Sequence, residues 1–111
     1  MKESQKYTYI QNKEYSILIM DFLGISLEKI LSKNNKNIPK KTILNYSLQM
    51  LDRIEYIHQR HIIHRDIKPE NFLISKNKLN QEIIYLIDFG LSKRFRDPKT
   101  GLHIPYKDEN L

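Results

Sequence analysis

No cysteine occurs among the 111 residues, which excludes disulfides and thiolate-bound metals from the chemistry of this chain. That composition fits an intracellular setting, cytoplasmic or nuclear, where disulfides are rare. No apolar run approaches the roughly 20 residues that span a bilayer, so no transmembrane segment is expected. The first residues, Met1-Lys2-Glu3-Ser4-Gln5-Lys6, are polar and lack the apolar centre of a signal peptide. Glycine is scarce, at three residues, and no Gly-x-Gly-x-x-Gly run is among them, so no glycine loop is present to cover phosphates. Neither an internal repeat nor an interdomain linker is visible. The length suits one domain and leaves no room for two.

What is present is an ordinary globular balance, with 40% hydrophobic and 29% charged residues. A formal net charge of +6 suits an anionic partner, whether nucleotide, acidic peptide, membrane or nucleic acid. Its plainer explanation is a solvated lysine-rich surface. Nucleic-acid binding would rest on that charge alone, with no aromatic-basic motif behind it, and is not expected.

Periodicity predicts a mixed α+β chain. Tyr7-Thr8-Tyr9-Ile10 and Tyr15-Ser16-Ile17-Leu18-Ile19-Met20 flank the polar Gln11-Asn12-Lys13-Glu14, which predicts a β-hairpin. A break follows at Gly24, then a short helix from Ser26 as N-cap to Leu31, then a polar loop over 32–37. Pro39 sits where a helix can start. From Thr42 to Gln59, Leu44, Leu48, Leu51 and Ile54, joined by Ile43, Met50 and Ile57, predict an amphipathic helix whose apolar stripe packs into the core. Ile62-Ile63, Phe72-Leu73-Ile74 and residues 83–87 predict short strands, with a turn over 75–81. The charged stretch from Leu91 onward, with Pro98, Gly101 and Pro105, predicts an extended loop.

The chemistry concentrates in His61-Ile-Ile-His64-Arg65-Asp66-Ile67-Lys68-Pro69-Glu70-Asn71-Phe72-Leu73-Ile74, answered 17 residues after Asn71 by Asp88-Phe89-Gly90. Phosphoryl transfer needs positioning, neutralised phosphate charge and an acceptor hydroxyl aimed in line. Asp66 can take or orient the hydroxyl proton, and Lys68 can reach the transferred phosphate. Asn71 and Asp88 offer the oxygen ligands that hard Mg²⁺ prefers. Pro69 stiffens the loop; His64 and Phe89 read as internal props, His64 supporting the loop backbone and Phe89 packing. Alone, Asp-Phe-Gly is a common turn and Asp-x-Lys a weak surface ion pair. Their joint spacing and helix–loop–strand–turn setting are what point to catalysis.

With these residues in place, the chain resembles the protein kinases, and among them the casein kinase I family of serine/threonine kinases. Lys68-Pro69-Glu70-Asn71 is similar to the serine/threonine form of the catalytic loop. Further resemblance lies in Met20-Asp21-Phe22-Leu23-Gly24 with Ser26-Leu27-Glu28, in Arg53-Ile54-Glu55-Tyr56-Ile57-His58, and in residues 87–93 through His103-Ile104-Pro105-Tyr106. It covers about residues 7 to 111. The resemblance implies a kinase-like fold, partial in extent: 1–20 as the last N-lobe hairpin, 21–24 as hinge, 25–111 as the start of the C-lobe. It implies Met20 as gatekeeper, Asp21, Phe22 and Leu23 as the hinge that hydrogen-bonds adenine, Leu73 against the adenine ring and Ser26 near the ribose. It also implies Asp66 as catalytic base, Lys68 as γ-phosphate contact, and Asn71 and Asp88 as metal ligands. ATP and Mg²⁺ are the implied cofactors, and the implied partner is a protein serine or threonine near acidic or already phosphorylated residues. Arg65 is placed to meet a phosphate on the activation segment.

Several features depart from that pattern. Neither the glycine loop nor a β3-type lysine precedes Tyr7, and no glutamate partner for such a lysine can be placed. Lys29 stands where an acidic residue is common near the ribose. Asp108-Glu109-Asn110-Leu111 runs one residue short, with Glu109 in place of a lysine. The expectation is a piece of a kinase domain, with exposed apolar surface and little activity alone. Two alternatives stand beside an active kinase: a pseudokinase-like module that binds nucleotide or protein, and a small-molecule phosphotransferase. Lys68-Pro69-Glu70 and His103-Ile104-Pro105-Tyr106 argue against the second.

Overall fold

β-branched and aromatic residues on both sides of a polar turn do form a hairpin. In the computed structural model, which describes residues 7–35 and 37–107, β1 (Tyr7–Gln11) pairs antiparallel with β2 (Ser16–Met20), Tyr7 opposite Met20 and Gln11 opposite Ser16. Asn12 makes the turn: its Oδ1 accepts the backbone N–H groups of Glu14 and Tyr15 at 2.8 and 2.7 Å, so the side chain does the work of a backbone turn. The two strands form a sheet of their own, exposed along their whole length.

The chain then enters the body that carries the site. β3 (Ile25–Ser26), β5 (Phe72–Lys76) and β6 (Glu82–Leu86) form an antiparallel sheet in the order β3-β5-β6. Gly24 makes this entry possible. Its φ of +104° favours glycine, and a Cβ there would lie 2.0 Å from the carbonyl oxygen of Ile74. α1 (Leu27–Lys33) begins at Ser26, whose hydroxyl accepts the Lys29 N–H at 3.1 Å as an N-cap. α2 (Lys40–Gln59) follows Pro39 and is the longest element. The core is small: Leu27 of α1, Tyr46 of α2, Phe72 and Ile74 of β5, and Ile84 of β6, with Ile30, Leu31, Met50, Ile54 and Leu86 packed against them. Phe72 and Ile84 are fully buried, each contributing about 2–3 kcal/mol of hydrophobic stabilisation.

The expected apolar stripe of α2 is corrected by this packing. Leu44, Leu48, Leu51 and Ile43 are exposed, Leu51 by 63%. The other members of that stripe, Met50, Ile54 and Ile57, do turn inward, joined by Tyr46, which the periodicity did not include. Residues two apart on a helix lie about 200° apart around its axis, so Leu44 and Tyr46, or Leu48 and Met50, occupy opposite sides. Both lines are apolar, and only one meets the sheet. The exposed apolar surface expected for a piece of a larger domain is present here and on the hairpin.

Past α2, β4 (Ile62–Ile63) pairs with β7 (Lys93–Arg94), Ile62 opposite Arg94. The region from Leu91 is therefore more ordered than an extended loop: besides β7, a bridge joins Arg96 to His103, and Ile104 N donates to Phe95 O at 2.8 Å. The bend between them is tied by Asp97, whose Oδ1 accepts the N–H groups of Lys99 and Thr100 at 2.8 and 2.9 Å. Those N–H groups hold its carboxyl below the usual carboxylate range. Predicted boundaries shift by a residue or two elsewhere; β5 reaches Lys76, so the turn before β6 is shorter than 75–81. The departures at Asp108, Glu109, Asn110 and Leu111, and the Met1 to Lys6 stretch, lie outside the described residues, as does Lys36 of the polar loop. Among the described residues, no helix is long and apolar enough to cross a membrane.

Candidate active site

Two short strands and a turn bring the motif together. β4 delivers the chain to His64, the loop Arg65 to Lys68 crosses the end of the sheet, and Pro69–Asn71 form a single 3-10 turn that feeds β5. Pro69 at the first position of that turn is apt, since its fixed φ suits helical entry and its missing N–H leaves nothing unpaired. β6 runs antiparallel to β5 and ends just before Asp88. The N–H of Ile87 donates to the carbonyl of Asn71 at 2.9 Å, which locks the two ends side by side. Asp66, Asn71 and Asp88 thus meet at neighbouring strand ends.

His64 is the internal support of this junction. It is 2% exposed; its Nδ1 accepts the Asp66 N–H at 3.1 Å, and its Nε2 lies 2.8 Å from the Ile87 carbonyl. A backbone N–H can only donate, and a carbonyl can only accept. The imidazole is therefore neutral with its proton on Nε2. One ring ties the loop after β4 to the residue before Asp88, and Phe89 meets it edge-on with centroids 5.0 Å apart.

Asn71 is 5% exposed and aimed without ambiguity. Its Nδ2 donates to the Asp66 carbonyl at 2.8 Å and to Asp66 Oδ2 at 3.1 Å. Both partners are acceptors, so the amide nitrogen must face them and the amide oxygen faces the other way. The other carboxylate oxygen of Asp66, Oδ1, sits 3.5 Å from Lys68 Nζ. With the lysine side chain 49% exposed, that ion pair contributes less than about 1 kcal/mol to stability. It places an ammonium beside the carboxylate without fixing it there. Asp88 is exposed, has φ 61°, and accepts the Gly90 N–H on Oδ1 at 3.2 Å.

Magnesium suits this donor set. An amide oxygen from Asn71 and a carboxylate from Asp88 are hard oxygen ligands, and Mg²⁺ commonly takes only one or two protein ligands beside phosphate and water. Among the described residues no cluster of three His, Asp or Glu offers an all-protein cage.

The nucleotide-contact residues are placed in two groups. Ser26 lies directly across from Leu73 in the β3–β5 register, and buried Leu23 precedes Gly24 at the same sheet. Ser26 spends its acceptor on Lys29, which leaves its hydroxyl proton for another partner. Met20, Asp21 and Phe22 stand apart from these, exposed at the end of the hairpin, Phe22 by 87%. Among the described residues, 21–23 make no backbone hydrogen bond outside strands and helices. Arg65, with φ 70°, turns its Nε to the carbonyl of Leu91 and ties the loop after β4 to the segment after Gly90.

Sequence reasoning missed the left-handed backbone at Arg65 and Asp88, because neither position carries the glycine that signals it. Such residues are uncommon and concentrate at functional sites. It also passed over Gln49 and Arg53, polar residues on the inner side of α2 that bond to β6; their four-residue spacing was the available signal.

Comparison with known proteins agrees with this geometry. The profile of the protein kinase domain matches residues 4–109. Casein kinase I homolog 3 of Schizosaccharomyces pombe is 44% identical over 103 residues, a stretch that covers 92% of this chain and 24% of that protein. The chain therefore spans about a quarter of the length of that curated relative. It belongs to the protein kinase family, as a stretch of kinase domain of the casein kinase I type.

Proposed function

We propose that these residues serve a serine/threonine protein kinase, which moves the γ-phosphoryl group of ATP to a hydroxyl on a protein. One observation carries this reading: Asn71 holds Asp66 by both its carbonyl and its carboxylate, and its own backbone carbonyl accepts the N–H of Ile87, the residue next to Asp88. A base and a pair of metal ligands are thereby built into one hydrogen-bonded unit. Asp66 orients the acceptor hydroxyl and takes its proton as the oxygen–phosphorus bond forms and the bond to the ADP oxygen breaks. Each oxygen of Asp66 retains acceptor capacity for that proton. Lys68 supplies positive charge beside the transferred group. Bound Mg²⁺, held by Asn71 and Asp88, would neutralise phosphate charge. Leu23, Ser26 and Leu73 would line the nucleoside side, with Met20, Asp21 and Phe22 completing it as gatekeeper and hinge. The lobe division at 20 and 24, the intracellular setting, and a substrate near acidic or phosphorylated residues belong to the same reading.

A second reading is favoured by the exposed hairpin: a module that binds nucleotide or protein without turning over. Transfer from radiolabelled Mg-ATP to a serine peptide, compared between the native chain and Asp66→Asn, separates the two. The kinase reading expects labelled peptide, reduced about 100-fold or more by the substitution. Metal-dependent ATP binding without transfer supports the module. Transfer that is insensitive to Asp66→Asn overturns the assignment of the base.

A further inference from the structure

Among the described residues β6 is the last strand of its sheet, and its outer N–H and C=O groups have no neighbouring strand. Side chains of α2 take their place. Asn45, Gln49 and Arg53 recur every four residues and so share one stripe of the helix. The N–H of Ile84 donates to Gln49 Oε1 at 2.9 Å, and Gln49 Nε2 donates to the Glu82 carbonyl at 3.0 Å. One side-chain amide thus reproduces the donor and acceptor of a paired peptide, and a flipped amide would lose both bonds. Arg53 Nε donates to the Ile84 carbonyl at 3.0 Å. Asn45 Oδ1 accepts from Gln49 Nε2 at 2.9 Å and holds that amide in plane.

The strand held this way ends at the proposed metal ligand. Ile84 is wholly buried, four residues before Asp88, and a one-residue slip of β6 would turn it out of the core and reverse every outward amide. On the inner side, Asn71 and His64 hold Ile87. On the outer side, only α2 holds Glu82 and Ile84 among the described residues. Asp88 leaves the strand at φ 61°, a conformation that persists where its surroundings enforce it.

We propose that Gln49 and Arg53 are positioning residues for Asp88: by completing the outer edge of β6 they set where the carboxylate stands, and hence how tightly a metal–nucleotide is held. The proposal rests on the reading of Asn71 and Asp88 as metal ligands. Neither Gln49 nor Arg53 touches the metal or the phosphate; both act through the strand.

The test titrates the full chain with Mn²⁺ at fixed ADP, read by the electron paramagnetic resonance of free Mn²⁺, with ADP binding in EDTA as the control. Arg53→Met is expected to raise the Mn²⁺ dissociation constant about tenfold, the usual cost of removing a group that orients a ligand. ADP binding in EDTA and the circular dichroism spectrum stay as in the native chain. Arg53→Lys, which keeps a donor for Ile84, is expected to restore affinity to within about threefold. Gln49→Glu keeps the acceptor for Ile84 N–H and loses the donor to Glu82, and carries the test should Arg53→Met fail to fold; it is expected to weaken Mn²⁺ about threefold or more. A folded variant with native Mn²⁺ affinity overturns the proposal, as does equal loss in Arg53→Met and Arg53→Lys. A native chain whose Mn²⁺ binding ignores ADP overturns the metal-ligand reading itself, and the positioning role with it.

Discussion

Asn71 and Asp66 form a single unit: the asparagine Nδ2 donates to both the carbonyl and the carboxylate of the aspartate, at 2.8 and 3.1 Å. The pair sits at the turn into β5, with Asn71 only 5% exposed. Replacing the amide nitrogen by oxygen sets two acceptors against Asp66. Asn71→Asp is therefore expected to destabilise the fold by about 2–3 kcal/mol, more than the roughly 1–2 kcal/mol of Asn71→Ala. Urea unfolding of the three proteins checks the order. Equal stability of Asn71→Asp and the native chain would remove the hydrogen-bonded unit from the account.

Gly24 and Gly101 separate space from backbone conformation. A Cβ on Gly24 would meet Ile74 O at 2.0 Å, whereas one on Gly101 meets nothing within 4 Å, although both have positive φ. Gly101→Ala is expected to cost about 1 kcal/mol, the left-handed penalty alone. For Gly24→Ala the clash with β5 adds to it, giving about 3 kcal/mol or more. Thermal unfolding measures both; similar losses would mean that β3 does not press on β5 as described.

Tyr46 gives the alkaline side of the stability profile. Burial, then the hydrogen bond to Glu82 and the charge of that carboxylate, push its phenol up to about 12 from an ordinary 10. The folded state favours the protonated form, so this stabilisation is complete below about pH 10 and disappears as pH rises through about 12. Tyr46→Phe should flatten the unfolding free energy over that window relative to the native chain. Absorbance at 295 nm should show a late tyrosine ionisation that Tyr46→Phe removes.

The two sides of α2 offer a further check. Leu48 faces solvent and Ile57 is buried, so Leu48→Ala should change stability by about 0.5 kcal/mol or less. Ile57→Ala should cost about 3 kcal/mol. Reversed magnitudes would restore the stripe expected from the sequence.

The motif from His64 to Asn71 was legible because its residues lie within a few positions of one another, and the chain cannot separate them. Asp66, Lys68 and Asn71 stand together for that reason, and Asp88 joins them through one strand pairing of ordinary antiparallel register. The hairpin, the N-cap at Ser26 and the existence of α2 were equally local. The inner face of α2 was not, since Leu48 and Met50 are both apolar and only the position of the sheet decides between them. Nor was the left-handed backbone of Arg65, a residue type that rarely adopts it, or of Asp88, where an aspartate tolerates that conformation without signalling it. The role of Gln49 and Arg53 was not legible either, because the edge they complete lies more than 30 residues away, as far as Ile84 is from each.

The central claim is that Asn71 and Asp88 hold a metal–nucleotide beside Asp66. Calorimetric titration with ATP, in Mg²⁺ and in EDTA, tests it most directly with the native chain and Asp88→Asn. The account predicts binding that tightens with Mg²⁺ in the native chain, and a variant in which that gain falls about tenfold or more while Mg²⁺-free binding is kept. Native binding indifferent to Mg²⁺, or a variant that keeps the full gain, would contradict it.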